Sequence, residues 1–339
     1  MSLKSTIQRL MPQISIGLAT LGIVSTFNPT AFVVAQTQLT TPTTQAVNFK
    51  LAADAKGFMR VPTPPVIIPK TLSNPKRPSG DRGIVCKPGQ PVNECDDRVP
   101  MIDRRAPWSA IGRIVMRETN GDQYQCTGTL ITEDVILTNA HCIVNPDTHQ
   151  VYASLTFEPN LIDGVLPDPK DRAQIIGGVY GTDFRNQRQA PNPNDWAVAK
   201  LDKPLGKKYS VIKWQSLELS VFRDNPDKFT LIGYSFDFPD GEKYPDLRRF
   251  KAGKGNTPSK HEKCSITAEQ PDGVLVHDCD MRGGASGGPI LGWINNEPYI
   301  VAINSAELAN QRTGIGPENY ATNVARVEEW LKQQGQTKK

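Results

Sequence analysis

Val135-Ile136-Leu137-Thr138-Asn139-Ala140-His141-Cys142 runs from an apolar strand straight into a histidine. The chain has only four histidines among its 339 residues. A histidine at a strand end serves structure more often than chemistry, but Cys142 stands beside this one and Cys126 lies sixteen residues back. A bridge between those cysteines would pin the loop that carries the imidazole. Closing a loop of that length is worth about 3 kcal/mol in the chain-entropy account.

Outward from this strand, short β-rich runs recur between Gly, Pro, Asn and Asp. They are Ile111 to Arg117, Gly128 to Thr132, Trp196 to Leu201, Phe229 to Tyr234, Gly273 to His277, Pro289 to Trp293 and Tyr299 to Asn304. Helical spacing is found only at the end, where Val324, Val327 and Leu331 recur at intervals of three and four. The expected class is therefore all-β, with a C-terminal helix over about 322–334 packed on its surface. The β-rich region from about Asp96 onward has the size of two small barrels.

Two further stretches carry chemistry. In Gly283-Gly284-Ala285-Ser286-Gly287-Gly288-Pro289, glycines flank a serine. A serine hydroxyl is a weak nucleophile that needs a base and an anion hole. The flanking glycines let the backbone turn so that the N–H groups of Gly284 and Ser286 converge on one point. A bulge or hairpin loop would use the same residues. In Asn194-Asp195-Trp196-Ala197-Val198-Ala199-Lys200-Leu201, an acid opens an apolar strand. There an aspartate is either a turn residue or the partner that orients an imidazole.

Thr-Asn-Ala-His-Cys, Asp-Trp-Ala-Val and Gly-Ala-Ser-Gly-Gly-Pro occur in that order, and together they resemble the trypsin-like serine peptidases over roughly Asp96 to Lys332. The resemblance implies two six-stranded antiparallel β-barrels, barrel one over about 96–205 and barrel two over about 206–320. The active site would lie in the cleft between them. It implies Ser286 as nucleophile, His141 as base, Asp195 as orienter, and Gly284 with Ser286 as the oxyanion hole. Asp96-Asp97-Arg98 followed by Ala106-Pro107-Trp108-Ser109-Ala110-Ile111-Gly112 is similar to the opening of the bacterial glutamyl endopeptidases.

The chain departs from these relatives in its substrate-binding positions. Where glutamyl endopeptidases place a selecting histidine and threonine, this chain has Asn304 and Met281, so a strong glutamate preference is not expected. Asp280, six residues before Ser286, falls where trypsin-like enzymes keep a pocket-floor carboxylate that attracts Arg or Lys. Such an attraction is on the order of 4 kcal/mol at an effective dielectric of 20. The alternative is that Asp280 turns away or pairs with Arg282. Ser305 and Ala306 resemble the segment that pairs with substrate as an added strand. Ala285 occupies the position of the aspartate that receives the new N-terminus in animal digestive members, so activation by that ion pair is excluded.

The N-terminal region reads as an export signal. Lys4 and Arg9 precede the apolar run Ile14 to Phe27, and small residues end at Ala35. A signal peptide over 1–35 is expected, and an uncleaved anchor is the alternative; the run is short for a span of about 20 residues. Residues 36–95 are rich in Thr, Gln, Ala and Pro and read as a linker or a pro-segment removed on maturation. A secreted or periplasmic location makes disulfides the natural use of six cysteines. The sequence-local pairs are Cys86 with Cys95, Cys126 with Cys142, and Cys264 with Cys279, among fifteen possible connectivities.

The formal net charge is +4, without a dense basic run or interleaved aromatics, which speaks against nucleic-acid binding. Peptide or protein substrates, no stable membrane span after signal removal, a monomer, and no metal or organic cofactor are expected. Three rival readings remain. One is a non-catalytic peptide-binding relative, and another is a protease-chaperone, for which no room follows the terminal helix. The third is an esterase, whose Gly-x-Ser-x-Gly elbow is formally present, but the strand–helix alternation of that fold is missing.

Overall fold

Among the described residues, alternating apolar residues in short segments, separated by turn-formers, build sixteen strands. In chain order they are β1 (Asn48–Leu51), β2 (Val99–Pro100), β3 (Ile111–Arg117), β4 (Gln123–Leu130), β5 (Val135–Thr138), β6 (Ser154–Pro159), β7 (Ala173–Tyr180) and β8 (Ala197–Leu201). There follow β9 (Lys213–Trp214), β10 (Phe229–Gly233), β11 (Ser259–Cys264), β12 (Ile266–Glu269), β13 (Val274–His277), β14 (Pro289–Ile294), β15 (Glu297–Glu307) and β16 (Asn319–Asn323). A terminal helix, Ala325–Gln333, closes the chain's regular structure. The computed structural model describes residues 48–55, 57–59, 61–63, 67, 69, 71–73, 96–185, 190–239, 253–307 and 318–334. The signal segment 1–35 and the expected pair Cys86–Cys95 lie outside the described residues.

The first sheet runs β7-β6-β3-β4-β5-β8 and closes on itself through β7 and β8, giving a six-stranded antiparallel barrel. Ile114, Leu130, Ile136, Phe157 and Ala199 share its inner face and are almost fully buried. The second sheet runs β12-β13-β16-β15-β14-β10-β11-β2, with β9 lying parallel on β15. It rolls into a half-barrel around Phe229, Leu231, Leu275, Ile290 and Val301. The chain passes from β11 to β12 through Ser265, whose N–H donates to the Asp278 carboxylate. The all-β class, the closed first barrel and the terminal helix agree with expectation. The helix buries Val327, Trp330 and Leu331, and Trp330 packs its ring 5.6 Å from that of Trp196.

Part of the stretch expected to stand apart from the core joins it. β1 pairs in parallel with β7, matching Asn48 to Gly177 and Leu51 to Tyr180. Ala55, Val61 and Leu72 are buried. Periodicity would have flagged Asn48-Phe49-Lys50-Leu51, which alternates polar and apolar as a strand should. Among the described residues, no helix is long and apolar enough to cross a membrane.

Candidate active site

β5 delivers the chain to Asn139, and a single helical turn, Ala140–Cys142, presents His141. The expected disulfide Cys126–Cys142 forms and ties this turn to β4; Cys264–Cys279 forms as well. His141 Nδ1 lies 2.7 Å from Asp195 Oδ2, and the His141 backbone N–H donates to Asp195 Oδ1 at 3.0 Å. Asp195 is buried at the entrance to β8. Ser305 Oγ donates to Asp195 Oδ2 at 2.7 Å, while the Asp195 carbonyl accepts from the Asn139 amide and Thr322 Oγ1. Burial by itself would lower the His141 pKa. The Asp195 charge and hydrogen bond outweigh it and hold the imidazole above its ordinary value of 6.5.

Ser286 comes from the other sheet, on the turn before β14. The turn needs left-handed backbone at Gly284 (φ 97°) and Gly287 (φ 80°). A Cβ on Gly287 would also sit 2.1 Å from the Thr127 carbonyl oxygen, so glycine is required there twice over. Thr127 on β4 fastens this turn to the first barrel. Its N–H donates to the Ser286 carbonyl at 2.7 Å, and its Oγ1 donates to the Gly284 carbonyl at 3.0 Å and accepts from Tyr234 N–H at 2.9 Å. The Gly283 carbonyl accepts from Phe236 N–H at 2.7 Å. A planar trans peptide then directs the Gly284 N–H the opposite way. Ser286 Oγ donates to the Ser305 carbonyl at 3.2 Å. The structure thus brings His141, Asp195, Ser286 and Ser305 into one linked set, with the serine hydroxyl turned toward β15.

The expected pocket residues divide. Asn304 is fully buried, its amide donating to the Ala285 carbonyl at 3.1 Å, and Met281 is buried among the apolar residues of the second sheet. Asp280 is engaged elsewhere: Oδ2 accepts from the Asp97 N–H at 2.8 Å, and its own N–H donates to His261 Nδ1 at 2.7 Å. Burial lowers the His261 pKa, which suits a neutral ring accepting at Nδ1. Arg98, next along the chain, is buried between Asp96 and Asp237 and anchors β2 against β11. Arg282 approaches Asp237 and Glu307 rather than Asp280. Nothing in local sequence marks Thr127 or the Ser305 hydroxyl as part of this set, because each acts on a residue more than a hundred positions away.

Comparison with known proteins agrees with this architecture. The chain is 24% identical over 178 residues to a vitellin-degrading protease of Bombyx mori, covering 52% of this chain and 51% of that protein. It thus spans about half the length of that curated relative. Its fold is similar to the solved structure of a Glu endopeptidase in complex with MPD, at 21% identity and a TM-score of 0.52, covering 71% of this chain and 98% of the other. The family model described as Trypsin matches residues 103–331, well over half of the chain, and the protein belongs to the trypsin family.

Proposed function

We propose that this protein is an exported serine endopeptidase that cleaves peptide bonds through an acyl-enzyme. The observation that carries the reading is the 2.7 Å contact between His141 and the buried Asp195, which Ser305 links to Ser286 on a glycine-framed turn. Rotation about the Ser286 Cα–Cβ bond moves Oγ from the Ser305 carbonyl toward His141 Nε2. His141 then takes the hydroxyl proton as Oγ attacks the substrate carbonyl, and the N–H groups of Gly284 and Ser286 receive the oxyanion. His141 passes the proton to the leaving amine, and water repeats the sequence on the ester. Asp195 fixes the tautomer of the neutral imidazole and stabilises the imidazolium formed when His141 takes the proton.

The substrate is an extended peptide laid along β15 at Ser305 and Ala306. We take Met281 and Asn304 as the groups beneath the substrate side chain, since Asp280 Oδ2 accepts from the Asp97 N–H. This favours an uncharged side chain before the scissile bond over arginine, lysine or glutamate. The two internal disulfides and the leader-like residues 1–35 support a secreted or periplasmic setting.

A non-catalytic peptide-binding role is the second reading, and the Ser286 hydroxyl turned to Ser305 favours it. A fluorophosphonate probe separates the two. Labelling of the wild-type protein that vanishes in Ser286→Ala is the expected result. Absence of labelling in folded wild-type protein would leave the binding role.

A further inference from the structure

We infer that the described residues between Asn48 and Ser73 form a permanent strap on the body, and that they stay bound without a covalent link when the chain is cut before Asp96. This inference stands apart from the peptidase reading, since it concerns how the two sheets are held together.

The strap completes a sheet edge that the body leaves open. β6 covers only Ala173 and Gln174 of β7, whereas β8 pairs with the other side of β7 as far as Tyr180. From Gly177 to Tyr180 the vacated edge is taken by β1. An unpaired edge of this kind exposes a row of backbone donors and acceptors. The body is also shaped for the strap. A Cβ on Gly177 would lie 2.4 Å from the Asn48 carbonyl oxygen, and its three nearest neighbours are all Asn48 backbone atoms. Gly177 has no left-handed backbone to require glycine, so the strap supplies the steric reason for it.

Beyond β1 the strap reaches both sheets. Ala55 and Val61 join a core cluster that unites first-barrel residues with Trp293, Ile300 and the terminal-helix residues Trp330 and Leu331, and Phe49, Phe58 and Met59 pack against it. Leu72 enters the core of the second sheet, where Ile67 packs. Body side chains reach out to cap strap backbone: Gln215 Oε1 accepts from the Ile67 N–H at 3.1 Å, and Asn225 Oδ1 accepts from the Leu72 N–H at 2.9 Å. Gln334, just past the terminal helix, accepts from the Gly57 N–H at 3.1 Å. Ser73 pairs with Trp293, donating its N–H to the Trp293 carbonyl at 2.8 Å. A disposable leader needs none of these; each contact is a buried or backbone-satisfying one of the kind that holds a subunit.

The test uses the exported full chain carrying Ser286→Ala, to prevent self-digestion, with a site for an added specific protease inserted between Ser79 and Gly80. After cutting, gel filtration and mass spectrometry should find the upstream piece and the body in one peak at equal amounts. Gly177→Val should release the upstream piece while the body keeps its cooperative melt. Leu72→Asp, which leaves the body sequence untouched, should release it too and lower the melting temperature. Separation of the two pieces in the cut parent would overturn the inference. So would full retention of the upstream piece in both variants.

Discussion

The imidazole of His141 sits under two opposed influences, burial that disfavours its charge and Asp195 that favours it, and Asp195 prevails. The proposed base works only when neutral. A pKa above 6.5 therefore places the acid limb of kcat/KM above the ordinary histidine value, with activity falling as pH drops through it. Replacing Asp195 with Asn removes the raising influence and leaves burial, so the limb should move to lower pH while the rate at its plateau falls by orders of magnitude. A pH profile of probe labelling for both proteins checks this. An unmoved limb would mean that another group sets it. At this scale the sequence singles out His141, Asp195 and Ser286 as candidates, because each stands in a short, distinctive word. It was not legible for Asp280, whose orientation depends on the Asp97 backbone 183 positions away.

Among the elements, β4 links the two halves of the candidate site through Thr127. Its hydroxyl satisfies the Gly284 carbonyl and the Tyr234 N–H at once, and it is fully buried. Thr127→Val keeps the shape and removes both partners. Two buried backbone groups left unpaired should cost about 3 kcal/mol together. Urea unfolding should show this loss. The turn that carries Ser286 loses a fastening in the same variant, so labelling should slow even at temperatures where the protein is fully folded. Equal labelling rates would place Thr127 in stability alone. Of the strands, β3 and β5 were readable to the residue because their runs are apolar and bounded by turns. β11 was hidden by its composition: Ser259, His261 and Cys264 are buried while Lys260, Glu262 and Lys263 are partly exposed, so its sequence reads as polar. β7 was hidden by Gly177 and Gly178, which weaken any strand signal and were placed by contacts with β1 and β8.

At the scale of the whole molecule, the second sheet buries His277, which the proposed chemistry does not use. Burial drives His277 down to about 4, against the raising influence of the Tyr320 backbone and Asn304. The unfolded chain binds a proton near 6.5 that the folded chain refuses until about 4. Stability from this group is thus complete above 6.5, falls as pH drops through that window, and is lost at its lower end. The total is about 3 kcal/mol by linkage. His277→Leu should flatten the dependence of melting temperature on pH between 6.5 and 4, whatever its effect at neutral pH. A slope equal to that of the parent would assign the acid sensitivity to other groups.

From the chain alone, the all-β class, the terminal helix and the two disulfides among the described residues were legible, and the three residues of the proposed chemistry stood out as candidates. These rest on local patterns: alternation, turn residues, and cysteines close enough in the chain to meet. Long-range contacts, not local pattern, set Asp280 against the chain's own backbone, Ser305 against Asp195, and β1 along β7. Each depends on backbone or side-chain groups meeting across long separations. A buried donor or acceptor must find a partner wherever the fold brings one within reach, and no local pattern records which partner that is.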